Sequence, residues 1–263
     1  FKQELDYLVD EYGVDGFKFD AGDARFYTDG VVSWQRDITP NDHTQFFAEF
    51  GLNYPLNEYR ASWKMAGLPL AQRLRDKGHE WEDMVKLIPD QMSQSVMGYA
   101  YTCPDMIGGG EYRSFLSASS LDEELVVRSA QVHALMPMMQ FSVAPWRILS
   151  KSNQKICEEM AQLHVQMGEA ILGWAKEASK SGEPIVKPMA MAFPDGGYEL
   201  IKDQFVLGDE IIVAPVVEKG ARTRSVVLPA GRWKAEDGEL YRGGKTIRID
   251  VPLERLPYFR RVK

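Results

Sequence analysis

Two cysteines in 263 residues cannot staple a fold, and no CxxC or Cys/His spacing around Cys103 and Cys157 resembles a zinc site. Both thiols are therefore expected to be free and buried, and no metal or other cofactor is called for. No run approaches the roughly 18 uninterrupted apolar residues of a membrane span, so the chain reads as soluble. A basic stripe is missing too. With 31 Lys and Arg against 38 Asp and Glu, the net charge of -7 argues against nucleic acid or an anionic membrane surface and favours a neutral substrate. The four histidines, His43, His79, His133 and His164, show no metal-ligand spacing. There is no low-complexity segment, no internal repeat and no leader. The sequence enters directly into an amphipathic pattern with Leu5, Leu8, Val9 and Tyr12 on one face, so it reads as a C-terminal portion of a longer parent whose N-terminal part is missing.

What is present is 44% hydrophobic residues, enough for a sizeable core, arranged in two grammars. Up to residue 182, strands alternate with helices. A helix precedes Gly13, a strand runs from Val14 to Asp20, a long loop follows over 21–40, and Asn41 or Asp42 can cap a helix reaching Gly51. Further helices are expected over Trp81–Met97, Leu121–Met139 and Gln154–Lys180, with a strand over Tyr99–Thr102. This alternation predicts βα units on a parallel sheet. Beyond Gly182 come short strand-like runs, such as Gln204–Leu207, Ile211–Ala214, Ser225–Leu228 and Thr246–Ile249, separated by Gly, Pro and Asp turn signals. Residues 183–263 therefore read as a separate antiparallel β-sandwich.

Three acids stand where chemistry could occur. Asp20 closes the Val14–Asp20 strand, and strand C-terminal ends and their loops gather catalytic side chains in βα folds. Lys18, two residues back on the same strand face, would hold Asp20 ionised, as a nucleophile requires. Asp76 lies in the charged run before Trp81, and Asp105 lies in a turn between Pro104 and Gly108. Taken alone, Asp20 reads as a capping or salt-bridged aspartate and Asp76 as part of a solvated charged loop. Retaining hydrolysis of a glycosidic bond needs two such groups, one to attack the anomeric carbon and one to protonate the leaving oxygen.

The segment Gly16-Phe17-Lys18-Phe19-Asp20-Ala21-Gly22-Asp23 resembles the nucleophile motif of glycoside hydrolase family 31, an aspartate followed three residues later by an acid. Asp76 and Trp81 keep the spacing of that family's acid/base segment, and Arg60 falls sixteen residues before Asp76, where a substrate-touching arginine is usual. Asp105 through Gly109 is similar to its Asp-Ile-Gly-Gly turn, and Arg128 through Pro137 to its Arg-Trp-x-Gln helix. Gly231-Arg232-Trp233 and the Asp203–Val216 segment resemble its proximal C-terminal β-domain. The resemblance implies an α/β fold: the C-terminal part of a (β/α)8 TIM barrel over 1–182, then an antiparallel β-sandwich over 183–263. It implies an exo-acting retaining α-glycosidase with Asp20 as nucleophile and Asp76 as acid/base, acting on an oligosaccharide or other α-glycoside. Arg60 and Asp105 would grip sugar hydroxyls.

Departures bear on the substrate. Arg75 replaces a glycine before the acid/base, Arg73 falls where a tryptophan is common, and Ser142 stands where a sugar-binding histidine is usual. The Pro104–Gly109 turn, the Met139-Gln140-Phe141-Ser142 run and the Pro145-Trp146 pair together resemble a branch associated with α-galactoside cleavage, so α-galactosidase and α-glucosidase activities both stay open. Trp63 and Trp146 offer aromatic faces on which sugars stack, or else pack the barrel. Two alternatives remain: transglycosylation or lyase chemistry on the same scaffold, and a sugar-binding fragment without turnover.

Overall fold

The computed structural model describes residues 1–34, 37–111, 113 and 121–262. Its first sheet is parallel and strictly sequential, with β1 (Gly16–Phe19), β2 (Leu56–Tyr59), β3 (Ala71–Arg73) and β4 (Thr102–Cys103) in the order β1-β2-β3-β4. A parallel bridge from Ile107 to Phe141 carries the same direction one step further. Each strand is short. Parallel pairing throughout places every strand's C-terminal end on one side, where Asp20, Arg60, Asp76 and Asp105 follow within a few residues.

The helices form broadly where the periodicity places them, with breaks that have local causes. Helix Lys2–Tyr12 ends on Gly13 at φ 66°, a left-handed cap that glycine adopts at no steric cost. Helix Pro40–Gly51 is capped two positions before Asn41, the earlier of the two expected caps, because Thr39 forms a reciprocal box with Asp42 and Pro40 occupies the first turn. The single helix expected over Trp81–Met97 is two, Trp81–Met84 and Leu87–Val96. Pro89 has no N–H to return to the Val85 carbonyl, so the first helix cannot continue into the second. Helix Glu123–Ala134 stops short of Pro137 for the same reason. The long C-terminal helix likewise divides into Lys151–Gln166 and Gly168–Ser181, meeting at Met167.

The remaining strands are β5 (Val186–Pro188), β6 (Phe205–Leu207), β7 (Ile211–Val213), β8 (Thr223–Leu228), β9 (Arg232–Ala235), β10 (Leu240–Arg242), β11 (Lys245–Asp250) and β12 (Tyr258–Val262). They form a six-stranded antiparallel sheet, β10-β9-β12-β7-β6-β5, faced by the two-stranded ribbon β11-β8. Strands β6 and β7 are buried at every position. Alternation explains this: Phe205, Leu207, Ile211 and Val213 face the helices of the preceding segment, whereas Val206 and Ile212 face Val226, Leu228 and Ile249 of the ribbon. One sheet thus serves two cores. Its link to the helices is also polar: Arg128 donates to the carbonyls of Val251, Arg255 and Ala221, and Gln131 to that of Leu253. Among the described residues, no helix is long and apolar enough to cross a membrane.

Candidate active site

The strand ends bring five carboxylates around two guanidinium groups. Arg73, the last residue of β3, has a side chain only 2% exposed. Its Nε donates to Glu58 Oε1 at 3.0 Å, its Nη1 to Asp76 Oδ1 at 2.8 Å and Asp105 Oδ1 at 3.1 Å, and its Nη2 to Asp20 Oδ1 at 3.2 Å. Arg60, one residue past β2, pairs through Nε with Asp23 Oδ2 at 2.9 Å. Its Nη1 lies 3.2 Å from Asp20 Oδ1 and 3.3 Å from Asp76 Oδ2. Asp20 and Asp76, 56 positions apart in the chain, therefore share both arginines.

The floor of this cluster is closed from water and its rim is open. Asp105 is fully buried, and its backbone takes φ 88°, a value a non-glycine residue rarely adopts. Its Oδ2 accepts from the amides of Lys77 at 2.7 Å and Gly110 at 3.1 Å, so both oxygens are occupied. Burial pushes the Asp105 carboxyl up from its ordinary range, while the Lys77 amide and Arg73 pull against it. For Arg73, burial works against the charge, but the hydrogen bond to Asp76 and the charges of Asp105, Asp76 and Glu58 outweigh it and raise its pKa. Asp76 and Asp20 lie at the rim, their side chains 33% and 62% exposed.

Behind the floor, Gln140 donates to Glu58 and accepts from Lys18 Nζ at 2.8 Å. The loops carrying Asp76 and Asp105 touch through backbone. A Cβ on Gly109, at φ 99°, would come within 2.8 Å of the Gly78 and Lys77 carbonyls, so only glycine fits there. His79 takes the Nδ1–H form, donating to the Gly108 carbonyl at 2.9 Å and accepting the Asp122 amide at Nε2 at 3.1 Å. It pins the Asp76 loop to a helix N-terminus. His133, fully buried, faces the Ser129 carbonyl with Nδ1 and the Asp105 carbonyl with Nε2. Burial pushes it down to about 4.

The expected site residues divide accordingly. Asp20, Arg60, Asp76 and Asp105 come together. Lys18 does not hold Asp20: its ammonium lies 3.6 Å from Glu58 and bonds Gln140, because a strand side chain points across the sheet face while Asp20, past the strand end, turns to the arginines. Asp105 has no oxygen open to a sugar and reaches the rim only through Arg73. Trp63 lines a groove of about 570 Å³ with Asp23, Arg60 and Tyr99, beside the acid pair but containing neither Asp20 nor Asp76. Trp146 lines a different groove of about 620 Å³ with Phe141 and Pro145. Ser142 is half-buried and lies two residues from Gln140, with no bond to the acids. Cys103 and Cys157 are free and buried, and burial pushes the Cys103 thiol up to about 12. Glu58 and Gln140 had no local signal. The signal at Arg73 was its departure from the common tryptophan. No cluster of His, Cys, Asp and Glu suited to a metal occurs among the described residues.

Residues 182–262 match the Glycosyl hydrolase family 31 C-terminal domain. The chain is 31% identical to the myogenesis-regulating glycosidase of Mus musculus, over 98% of this chain and 38% of that protein. It is 28% identical to Alpha-glucosidase 2 of Bacillus thermoamyloliquefaciens, over 68% of this chain and 23% of that protein. The cycloalternan-degrading enzyme from Trueperella pyogenes shares the fold with a TM-score of 0.80 at 20% identity, covering 98% of this chain and 38% of that one. The chain thus spans about two fifths or less of the length of these relatives. Its β-domain match, together with its likeness to glycosidases along nearly its whole length, makes it a member of glycoside hydrolase family 31.

Proposed function

We propose that this chain carries the reacting carboxylates of a retaining, exo-acting α-glycoside hydrolase, with Asp20 as nucleophile and Asp76 as acid/base. The observation that carries the reading is the shared guanidinium. Asp20 Oδ1 and Asp76 Oδ2 both touch Arg60 Nη1, at 3.2 and 3.3 Å, so these oxygens can be no farther apart than the two contacts laid end to end. That reach favours the roughly 5 to 5.5 Å spacing of retaining pairs over the roughly 6.5 to 9.5 Å that admits an inverting water. In the first step Asp76 gives its proton to the glycosidic oxygen as Asp20 forms a bond to C1 and the C1–O bond breaks. In the second, Asp76 takes a proton from water, the hydroxide oxygen bonds C1 and Asp20 leaves.

The parallel sheet β1–β4 is read as part of a (β/α)8 barrel over 1–182, completed by a preceding part of the parent chain, with 183–263 as the β-sandwich domain. The substrate is a neutral α-linked oligosaccharide, released one sugar at a time. Five carboxylates against Arg60, Arg73 and Lys18 leave the site net negative, which disfavours an anionic sugar. Ser142 and Arg73 motivate α-galactoside over α-glucoside, tested by kcat/KM on the two nitrophenyl glycosides; a strong glucoside preference returns the chain to the α-glucosidase type. A 2-fluoroglycosyl fluoride should label Asp20 in the full-length protein, and label on any other residue overturns the nucleophile assignment. Asp76→Ala should slow natural glycosides far more than activated aryl ones, and equal losses on both would make Asp76 structural.

A further inference from the structure

The two carboxylates are not held alike. Both guanidinium contacts to Asp20 fall on Oδ1, and Oδ2 has no partner among the described residues. Asp76 is held on both oxygens, Oδ1 by Arg73 at 2.8 Å and Oδ2 by Arg60 at 3.3 Å. Asp105 is saturated by Arg73 and two amides, and Glu58 by Arg73, Lys18 and Gln140. Of the four carboxylates that touch Arg73, Asp20 alone keeps an oxygen open, and its side chain is the most exposed of them.

We infer that Arg73 is a positioning residue which sets these two roles: it turns Asp20 so that Oδ2 is the attacking oxygen, and anchors Asp76 by Oδ1 so that Oδ2 carries the transferred proton once Arg60 gives way. The inference rests on the acid-pair reading above. Arg73 is suited to this because its guanidinium plane is fixed from behind. Nε is tied to Glu58, which Gln140 and Lys18 hold in turn, and Nη1 is tied to Asp105, whose Oδ2 is locked by the Lys77 and Gly110 amides. Only the edge of the guanidinium facing the rim reaches the reacting pair. Arg60 cannot substitute, since its single Nη1 touches both acids from the rim and its Nε is committed to Asp23. A lysine at position 73 would offer three donors from one point and could not span Glu58, Asp105, Asp76 and Asp20 together.

The test is steady-state kinetics on an aryl α-glycoside in the full-length protein, with folding checked by thermal unfolding. Arg73→Gln should lower kcat by about 100-fold or more with KM within about threefold, because misplacing a reacting group by about 1 Å costs on that order. Arg73→Lys should recover less than about tenfold of that loss. The rate of labelling by a 2-fluoroglycosyl fluoride, whose leaving group needs little protonation, should fall alongside kcat, since Asp20 itself is misaligned. A kcat within threefold of wild type, or a loss confined to KM, overturns the inference. If neither Arg73 variant folds, Asp105→Asn decides: it keeps Arg73 and both reacting acids but weakens the anchor, so kcat should drop about tenfold at constant KM, and an unchanged kcat overturns the inference. A wild-type protein that turns over no aryl α-glycoside defeats the acid-pair reading itself, whereas an active wild type with an indifferent Arg73→Gln defeats only the role of Arg73.

Discussion

The two sheets solve burial differently. Strands β6 and β7 are covered on both faces, by helices on one side and by the β8–β11 ribbon on the other, so their side chains are 0 or 1% exposed. The parallel sheet is covered outside by a small aromatic cluster of Phe19, Tyr54 and Tyr59 with Ala48, Met65 and Leu70, while its other face is lined by the charges of the site. Helix Lys2–Tyr12, packed on that cluster, has no buried residue, and Phe1, Tyr7, Leu8, Tyr12 and Leu56 are exposed. Within these 263 residues the antiparallel region therefore has the denser apolar burial, and the parallel sheet has an aromatic cluster on one face and the charged site on the other.

That contrast can be broken at its strong side first. Phe205→Ala, at a fully buried position between helices and sheet, should cost about 3 to 5 kcal/mol in urea unfolding; a loss below about 1 kcal/mol would show that the two cores do not meet there. Acid should act through His133 next. Its folded pKa is pushed down to about 4, so the stability associated with the neutral ring is fully present above the unfolded value near 6.5 and is lost as pH falls from there toward 4, by roughly 3 kcal/mol in all. Unfolding midpoints across that window should show the loss, and His133→Gln should flatten it.

Arg128→Ala tests the polar seam between the regions. The guanidinium is buried, its pKa pushed down to about 10 by that burial, and it donates to three carbonyls of the β-domain. Removing it should cost about 2 to 3 kcal/mol and separate one unfolding transition into two. A single unshifted transition would mean the seam is apolar in energetics. The smallest effect belongs to the weak side. Leu8→Ala, on the exposed face of the first helix, should change stability by less than about 0.5 kcal/mol, measured the same way.

Element types followed from periodicity wherever burial was one-sided, as in Pro40–Gly51, which buries Thr44, Ala48 and Gly51, and Lys151–Gln166, which buries Ile156, Cys157 and Met160. Strands β9, β10 and β12 were harder to see because exposed arginines and lysines alternate with Trp233, Ala235 and Phe259, so no apolar run marks them. Helix breaks at Val85 and Met167 were invisible to a pattern that continues through them. At the site, a motif with fixed local spacing made Asp20, Asp76 and Arg60 legible. The partner proposed for Asp20, Lys18, was wrong because spacing along one strand says nothing of which neighbouring strand supplies a closer cation.

By itself, then, the sequence determined the family, the alternation of strands and helices before residue 182, the antiparallel runs after it, and the acids at strand ends. These depend on local spacing, which the backbone periods of helix and strand convert directly into geometry. Tertiary structure alone decided that Arg73 joins Glu58, Asp76, Asp105 and Asp20, that Gln140 braces Glu58 from 82 positions away, and that Asp20 keeps one free oxygen while Asp76 keeps none. Those pairings cross from one strand end to the next in a parallel sheet, where residues brought within about 3 Å are separated in sequence by whole loops and helices, and no local spacing encodes them.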